Sequence, residues 1–152
     1  MTEPIRIVLT GGVSGGHTFP LIAVAERIAV QTGGNAEFLF IGPKGRFGAS
    51  VMEERGIPVR LVSTGKLRRY FSLTNFVDPF RIPLGIIQSL WHLYQFMPDA
   101  VFSKGGSASV PVVIAAWLYR IPVLIHDSDA VAGMANKFMS RFATKIAIAY
   151  PS

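Results

Sequence analysis

One glycine-rich stretch, GGVSGGHTFP at residues 11–20, carries residue types that could do chemistry, and it follows the apolar run IRIVLT. Its spacing, G-x-x-x-x-G-H-T, matches a nucleotide-binding P-loop except that His17 stands where the lysine is required. Histidine is shorter than lysine and mostly neutral at pH 7, so it does not replace the lysine that contacts nucleotide phosphates. A P-loop kinase is therefore a weak alternative, which ATP binding by the chain would test.

The same loop is suited to approach an anion through its backbone. Glycines let the chain turn tightly and come close to a ligand, and a following helix offers unpaired N–H groups and the positive end of its dipole. His17 would then lie at the edge of a cleft with an imidazole able to accept a proton near neutral pH. The structural alternative is that His17 belongs to a helix cap, with Thr18 as the N-cap residue.

Alternating apolar runs and helical patterns predict the elements that position this loop. We expect strands at residues 5–10, 37–41, 59–62, 100–102, 123–126 and 145–147. We expect helices at residues 19–31, 49–55, 84–97, 110–119 and 134–141. This alternation predicts a doubly wound, Rossmann-like α/β fold with a mostly parallel sheet and helices on both faces. Ligands of such sheets bind at the carboxyl ends of the strands, which selects the loops at 11–18, 103–109 and 126–133.

Composition limits the class of protein. The 152 residues are enough for one domain with a real core, and half of them are hydrophobic. Cysteine is absent, which excludes disulfides, thiolate metal sites and thiol nucleophiles. The N-terminus lacks the layout of a signal peptide, and no apolar stretch approaches the roughly 18 residues that span a bilayer. We therefore expect a protein that is soluble or lies on a membrane surface.

The net charge of +6 is concentrated between residues 44 and 81, where eight basic residues face three acidic ones. Basic and aromatic side chains alternate at the end of this segment. Such a mixture is typical of a surface for anionic lipid or for nucleic acid, and a core loop with solvated arginines is the structural alternative. Pro79 and Pro83 are expected to prevent one long helix there.

Four motifs occur in order along the chain: GGVSGGHTFPLIAVAERI, TGKLRRYFSLTNFVDPFRIPLGI, KGGSASVPVVIAAWLYRIPVLIHDSD and AGMANKFMSRFATKIAIAYP. Together they resemble the MurG-type N-acetylglucosaminyltransferases over essentially the whole chain. The resemblance implies one half of a GT-B enzyme, with residues 1–152 as the N-terminal, acceptor-binding domain and the UDP-sugar-binding domain outside them. It implies inverting transfer of GlcNAc from UDP-GlcNAc to the 4-hydroxyl of undecaprenyl-pyrophosphoryl-MurNAc-pentapeptide (lipid I), giving lipid II for peptidoglycan synthesis, without cofactor or metal.

The resemblance also implies roles for individual residues, of which His17 falls on the family's proposed general base. The acceptor pyrophosphate is expected at Gly15, Gly16, Gly105, Gly106 and Ser109, and cleft or donor-sugar contacts are expected at Thr18, Asp127, Asp129 and Asn136. The family's H-E-Q-N stands here as HDSD, residues 126–129. An ionised Asp129 only accepts hydrogen bonds, whereas an asparagine also donates them, so sugar contacts there must differ. Ser107 replaces a usual aromatic residue. Each acidic or amide residue could instead be a loop or cap residue.

For the basic and aromatic segment, the resemblance favours the membrane over nucleic acid, at the cytoplasmic face of the bacterial plasma membrane. The residues expected to contact it are Lys66, Arg68, Arg69, Phe71, Phe76, Phe80 and Arg81. Because a donor domain is expected elsewhere, the isolated chain should not catalyse transfer. The alternative is a non-catalytic, membrane-recruiting subunit of a split UDP-GlcNAc transferase that acts on another lipid-linked sugar. The reading frame after Ser152 would separate the two.

Overall fold

The computed structural model describes residues 3–65, 78–129 and 133–150. The strands in these ranges are β1 (Ile5–Thr10), β2 (Ala36–Pro43), β3 (Val59–Val62), β4 (Ala100–Ser103), β5 (Val123–Asp127) and β6 (Lys145–Ile148). The helices are α1 (Gly15–Gln31), α2 (Arg46–Glu54), α3 (Asp78–Phe96), α4 (Val110–Leu118) and α5 (Met134–Met139), and a 3₁₀ turn at Ser107–Ser109 precedes α4. All the predicted strands are confirmed to within two residues at each end.

The strands form one sheet in the order β3-β2-β1-β4-β5-β6, and every neighbouring pair is parallel. This is the strand order of a Rossmann-like, doubly wound sheet, so the predicted fold class is confirmed. The order reverses between β1 and β4, which pair as far as Thr10 and Ser103 at their carboxyl ends. In open sheets of this kind ligands bind in the crevice at the reversal point.

Helices cover both faces of the sheet and form two core layers. On one face α1 and α2 pack around side chains such as Leu9 and Phe40. On the other, α3, α4 and α5 pack around side chains such as Val8 and Leu93. Neighbouring residues of a strand point to opposite faces, so the central strands must be apolar on both sides. This explains why residues 7–9 of β1 form a continuous apolar run rather than an alternating pattern.

The start of α1 differs from the predicted one. The helix begins at Gly15 and not at residue 19, so the glycine pair and His17 form its first turn and Ser14 occupies the N-cap position. The suggestion that Thr18 is the N-cap is wrong, because Thr18 is fully buried and its hydroxyl donates to the Ser14 carbonyl at 3.1 Å. The histidine is therefore carried by a helix end that faces the crevice.

The start of α3 also differs, because the helix begins at Asp78 although two prolines were expected to prevent it. Pro79 lies in the first turn, where its missing N–H needs no partner, and Pro83 removes a single hydrogen bond. Tertiary contacts compensate: Gln88 accepts a hydrogen bond from the Ser63 N–H at 2.7 Å. Gly85 lies so close to the Ser63 carbonyl that a side chain there would collide with it. Within the described ranges, no helix is both long and apolar enough to cross a membrane.

Candidate functional site

His17 lies at the crevice between β1 and β4. Its Nδ1 and the Ser14 hydroxyl share a hydrogen bond of 2.8 Å, which fixes the ring. Its Nε2 faces the second glycine loop, since a Cβ built on Gly106 would lie 3.3 Å from that nitrogen. None of the described residues forms a hydrogen bond with Nε2. When Nδ1 carries the proton and donates it to Ser14, Nε2 has a lone pair open to the crevice.

The electrostatic surroundings keep this imidazole unprotonated. Burial lowers the pKa of His17 below its ordinary value of 6.5, the positive charge of Lys104 lowers it further, and Asp129 acts in the opposite direction. A base with a lowered pKa is neutral at pH 7 and can accept a proton. The arrangement is therefore chemically competent for general base catalysis at Nε2.

The second loop forms a fixed wall beside His17. Gly105 and Gly106 both have φ of +87°, a conformation that favours glycine. The Gly105 N–H donates to Ser103 Oγ at 3.1 Å, and the Gly106 N–H donates to Asn136 Oδ1 at 3.1 Å. The buried Ser109 hydroxyl donates to the Gly105 carbonyl at 3.0 Å. These three groups were predicted to face a pyrophosphate, but here they hold the loop in shape.

The N–H groups that remain open belong to the start of α1. In the part of the chain that the structure describes, nothing accepts a hydrogen bond from the N–H of Gly15 or Gly16. Both lie in the first helical turn, where the backbone has no intrahelical acceptor and the helix dipole is positive. Of the predicted anion-binding glycines, this pair alone has the groups available.

A small cavity of about 240 Å³ lies on one side of His17. Its described lining comes from the first loop, the end of β4, the loop after β5 and α5: Ser14, Gly16, His17, Lys104, Gly106, Asp127, Ser128, Asp129, Gly133, Ala135 and Asn136. Asp127 is buried; its Oδ1 accepts the Asp129 N–H at 3.1 Å, and its Oδ2 has no partner within the described ranges. Carboxylates, an ammonium and an amide around one small space can bind a hydroxyl-rich ligand.

A larger cavity of about 600 Å³ opens on the other side of His17. Its described lining is Gly12, Val13, His17, Pro43, Lys44, Val62, Ser63, Thr64, Arg81, Gly106, Ser107 and Ala108. Two of these residues, Lys44 and Arg81, are cationic and none is acidic, so the cavity favours an anionic ligand. His17 and Gly106 line both cavities.

The structure brings six of the ten predicted catalytic and binding residues together around one cavity. Gly16, Gly106, Asp127, Asp129 and Asn136 share a cavity with His17. Thr18, predicted as a cleft contact, is buried with its hydroxyl turned to the backbone. Phe80 is exposed, as a membrane contact requires, and Arg81 lines the larger cavity. The predicted membrane residues Lys66, Arg68, Arg69, Phe71 and Phe76 lie outside the described residues.

Three residues of the site were missed by the sequence analysis. Ser14 orients His17, Lys44 lines the larger cavity, and Lys104 lines the smaller one. Lys104 had a usable signal, because a lysine two residues after a predicted strand and directly before a glycine pair lies at the edge of the sheet where ligands bind. In the described ranges no three histidine, aspartate or glutamate side chains are grouped as metal ligands.

Comparisons with known proteins find relatives of this chain in sequence and in fold. Residues 7–148 match the model of the glycosyltransferase family 28 N-terminal domain. The chain is 47% identical over 144 residues to the UDP-N-acetylglucosamine--N-acetylmuramyl-(pentapeptide) pyrophosphoryl-undecaprenol N-acetylglucosamine transferase of Legionella pneumophila, covering 95% of this chain and 39% of that protein. A transferase of the same name from Bacillus cereus is 43% identical over 145 residues, covering 95% of this chain and 40% of that protein.

A solved structure gives the same result. The crystal structure of Acinetobacter baumannii MurG matches with a TM-score of 0.81 and 28% identity, covering 97% of this chain and 42% of that one. The chain therefore spans about two fifths of the length of the relatives it matches.

Proposed function

Because the chain belongs to the glycosyltransferase family 28 N-terminal domain family, we propose that it is the acceptor-binding half of an inverting N-acetylglucosaminyltransferase. The reaction moves GlcNAc from UDP-GlcNAc to the 4-hydroxyl of undecaprenyl-pyrophosphoryl-MurNAc-pentapeptide. Both curated relatives described above carry names with this donor and this lipid-linked acceptor. UDP-GlcNAc is a substrate in this proposal, and no cofactor takes part.

The observation that carries the proposal is the larger cavity, which joins His17 to Lys44 and Arg81. A lipid-linked acceptor needs a base at its sugar hydroxyl and cations at its pyrophosphate. The open N–H groups of Gly15 and Gly16 lie at the positive end of α1, and Gly16 lines the small cavity rather than the larger one. Arg81 belongs to the first turns of α3, beside the exposed Phe80, so the cationic end of the cavity adjoins an apolar surface.

The chemistry assigned to this chain is a proton transfer. His17 Nε2 takes the proton of the acceptor 4-hydroxyl as its oxygen bonds to the anomeric carbon of GlcNAc. The bond between that carbon and the diphosphate breaks, and its electron pair leaves with UDP. Ser14 holds the ring so that Nε2 keeps its lone pair towards the substrate. The small cavity, with Asp127, Asp129 and Asn136, would contact the donor sugar beside the base.

The membrane-facing surface in this proposal includes one side of α3. Large exposed side chains recur on it at intervals of four and three residues: Phe80, Leu84, Ile87, Trp91 and Tyr94, together called the α3 stripe. No acidic residue occurs from Pro79 to Pro98. An amphipathic helix with aromatic side chains and without acidic ones suits an anionic lipid surface. We place the protein at the cytoplasmic face of the bacterial plasma membrane, as a peripheral protein.

Binding of the nucleotide sugar is assigned to a second domain, either in the same protein or in a partner chain. The crevice at the carboxyl ends of β1 and β4 is where the two substrates would meet.

The proposed function is tested by replacing the base in the full-length protein. We expect His17→Ala and His17→Gln to lower kcat by roughly 10²- to 10⁴-fold with lipid I as acceptor, the usual contribution of a general base. The matched control is His92→Gln, since His92 is a partly buried histidine on α3 that lines neither cavity. Near-normal turnover of both His17 variants, with vesicle binding intact, would remove His17 from the chemistry.

A further inference from the structure

Lys104 is a buried cation that the proposed mechanism does not use. It follows β4 directly, its backbone N–H donates to the Thr10 carbonyl at 2.9 Å, and only 6% of the residue is exposed. Its ammonium donates to Ser128 Oγ at 2.8 Å. Among the described residues, no carboxylate oxygen lies within 4.0 Å of this ammonium. Buried charges are normally paired, so an ammonium held by one hydroxyl calls for another explanation.

The Lys104 side chain lies among residues of the candidate site. Lys104, Ser128 and Asp129 line the small cavity together with His17. Ser128 stands between Asp127 and Asp129, in a turn closed by the hydrogen bond from the Asp129 N–H to Asp127 Oδ1. The Lys104–Ser128 bond therefore ties the end of β4 to the loop after β5.

We infer that Lys104 is a positioning residue for His17: its ammonium, tethered by Ser128, sets a fixed positive charge near the imidazole and holds the loop that carries Asp129. A positive charge near an imidazole favours the unprotonated form, which is the form that accepts a proton. The contribution of Lys104 to catalysis rests on the proposed function. Its electrostatic effect on His17 does not, and it can be measured without an activity assay.

Two charges of opposite sign act on His17 from neighbouring elements. After burial, Lys104 at the end of β4 lowers the pKa of His17, and Asp129 after β5 raises it. The same ammonium acts on a second histidine: burial and then Lys104 lower the pKa of His126, and Asp127 raises it. Removing the Lys104 charge should therefore raise the pKa of both His17 and His126.

The third histidine of the chain is an internal reference. Burial and the charge of Arg60 lower the pKa of His92, and a side-chain hydrogen bond with Gln95 raises it. Lys104 takes no part in this balance. One spectrum of the chain thus contains two reporters and one reference, because the sequence has only three histidines.

The test is an NMR titration of the three imidazoles in the chain and in its Lys104→Met variant. Methionine keeps the length and apolar contacts of the stem and removes the charge. We expect the titration midpoints of His17 and His126 to rise and that of His92 to stay unchanged. An unchanged His17 midpoint in the variant would overturn the inference.

Three further variants separate charge, tether and surface effects. Lys104→Arg retains the charge and should leave the His17 midpoint near its wild-type value. Ser128→Ala releases the ammonium while keeping it charged, so the His17 midpoint should rise by less than in Lys104→Met. An unchanged midpoint in Ser128→Ala would overturn the tether. Lys145→Met, at an exposed lysine on the amino end of β6, should change none of the three midpoints.

A kinetic arm separates this inference from the proposed function. In the full-length protein, Lys104→Met should move the acid limb of kcat/KM to higher pH, following the His17 midpoint. A rise of the His17 midpoint without any change in the pH profile would support the contact with Lys104. The same result would overturn the role of His17 as the base.

Discussion

At the scale of single residues, the second glycine loop depends on the absence of a side chain at one position. A Cβ on Gly105 would collide with the Asn136 amide, approaching Nδ2 to 2.7 Å. The Asn136 amide oxygen accepts the Gly106 N–H, and Gly106 lines both cavities together with His17. The position of the loop beside the imidazole therefore depends on a glycine that is itself absent from the described lining of both cavities.

We predict that Gly105→Ala destabilises the fold and the site, and that Gly34→Ala is its matched control. Gly34 has φ of +84° against +87° for Gly105, and nothing lies within 4 Å of a Cβ built on it. Both variants incur about 1–2 kcal/mol of backbone strain. Gly105→Ala should lose about 1–3 kcal/mol more, because it also displaces the Asn136 hydrogen bond. Urea unfolding measures the difference, and equal losses would contradict the prediction.

The residues recognised from the sequence alone are those with side chains that commonly take part in catalysis or ligand binding. The loops that carry the histidine and the acidic residues were identified because parallel strands bring their carboxyl ends to one edge, and the resemblance to a known family then selected the acidic residues. The engagement of the Gly106 N–H in holding its own loop was not predictable. It depends on Asn136, which is 30 residues away from Gly106 in the chain.

At the scale of elements, α3 shows how tertiary contacts override a local rule. Its prolines argue against a helix before residue 84, yet the helix begins at Asp78 because its first turns are held by the segment after β3. That segment, 25 residues away in the sequence, contributes the Ser63 N–H to Gln88. The other helices agree with their periodicity to within four residues, because an apolar face towards the sheet is a local property of the sequence.

We predict that the α3 stripe mediates binding to anionic lipid. The double variant Ile87→Ser/Trp91→Ser should partition roughly tenfold to a hundredfold less to phosphatidylglycerol vesicles, since each side chain gives up about 1 kcal/mol of apolar burial or more. The control is Val30→Ser, on α1, at a residue that is 72% exposed on the opposite face of the sheet. Co-flotation measures the partition. An equal loss of vesicle binding in the double variant and in Val30→Ser would argue against a lipid-facing role of α3.

At the scale of the whole molecule, the pKa values of all three histidines are shifted in the same direction. Burial is the largest cause that lowers the pKa of His17, His92 and His126 below 6.5. Near that pH the unfolded chain therefore binds more protons than the folded one. Linkage then requires stability to be fully present above pH 6.5 and to decrease as pH falls through the lowered values.

We predict a lower thermal unfolding midpoint at about pH 5.5 than at about pH 7.5, within the range where histidines titrate. The double variant His17→Gln/His92→Gln should show a shallower decrease over the same interval, because two of the contributing groups are gone. Differential scanning calorimetry checks both statements. A midpoint that rises on acidification would show that the histidines are not the groups that couple pH to folding.

The pairing of β1 with β4 has a consequence for how the molecule acquires its site. The Arg6 N–H donates to the Asp99 carboxylate across 93 residues of sequence, and the two strands that flank the crevice meet at the same distance. Closing so long a loop costs entropy before any contact compensates it, and such non-local pairing slows folding. During synthesis the histidine emerges long before the wall that it faces. The crevice can form only after most of the chain has left the ribosome, so the emerging N-terminal segment has no base aligned with a second loop.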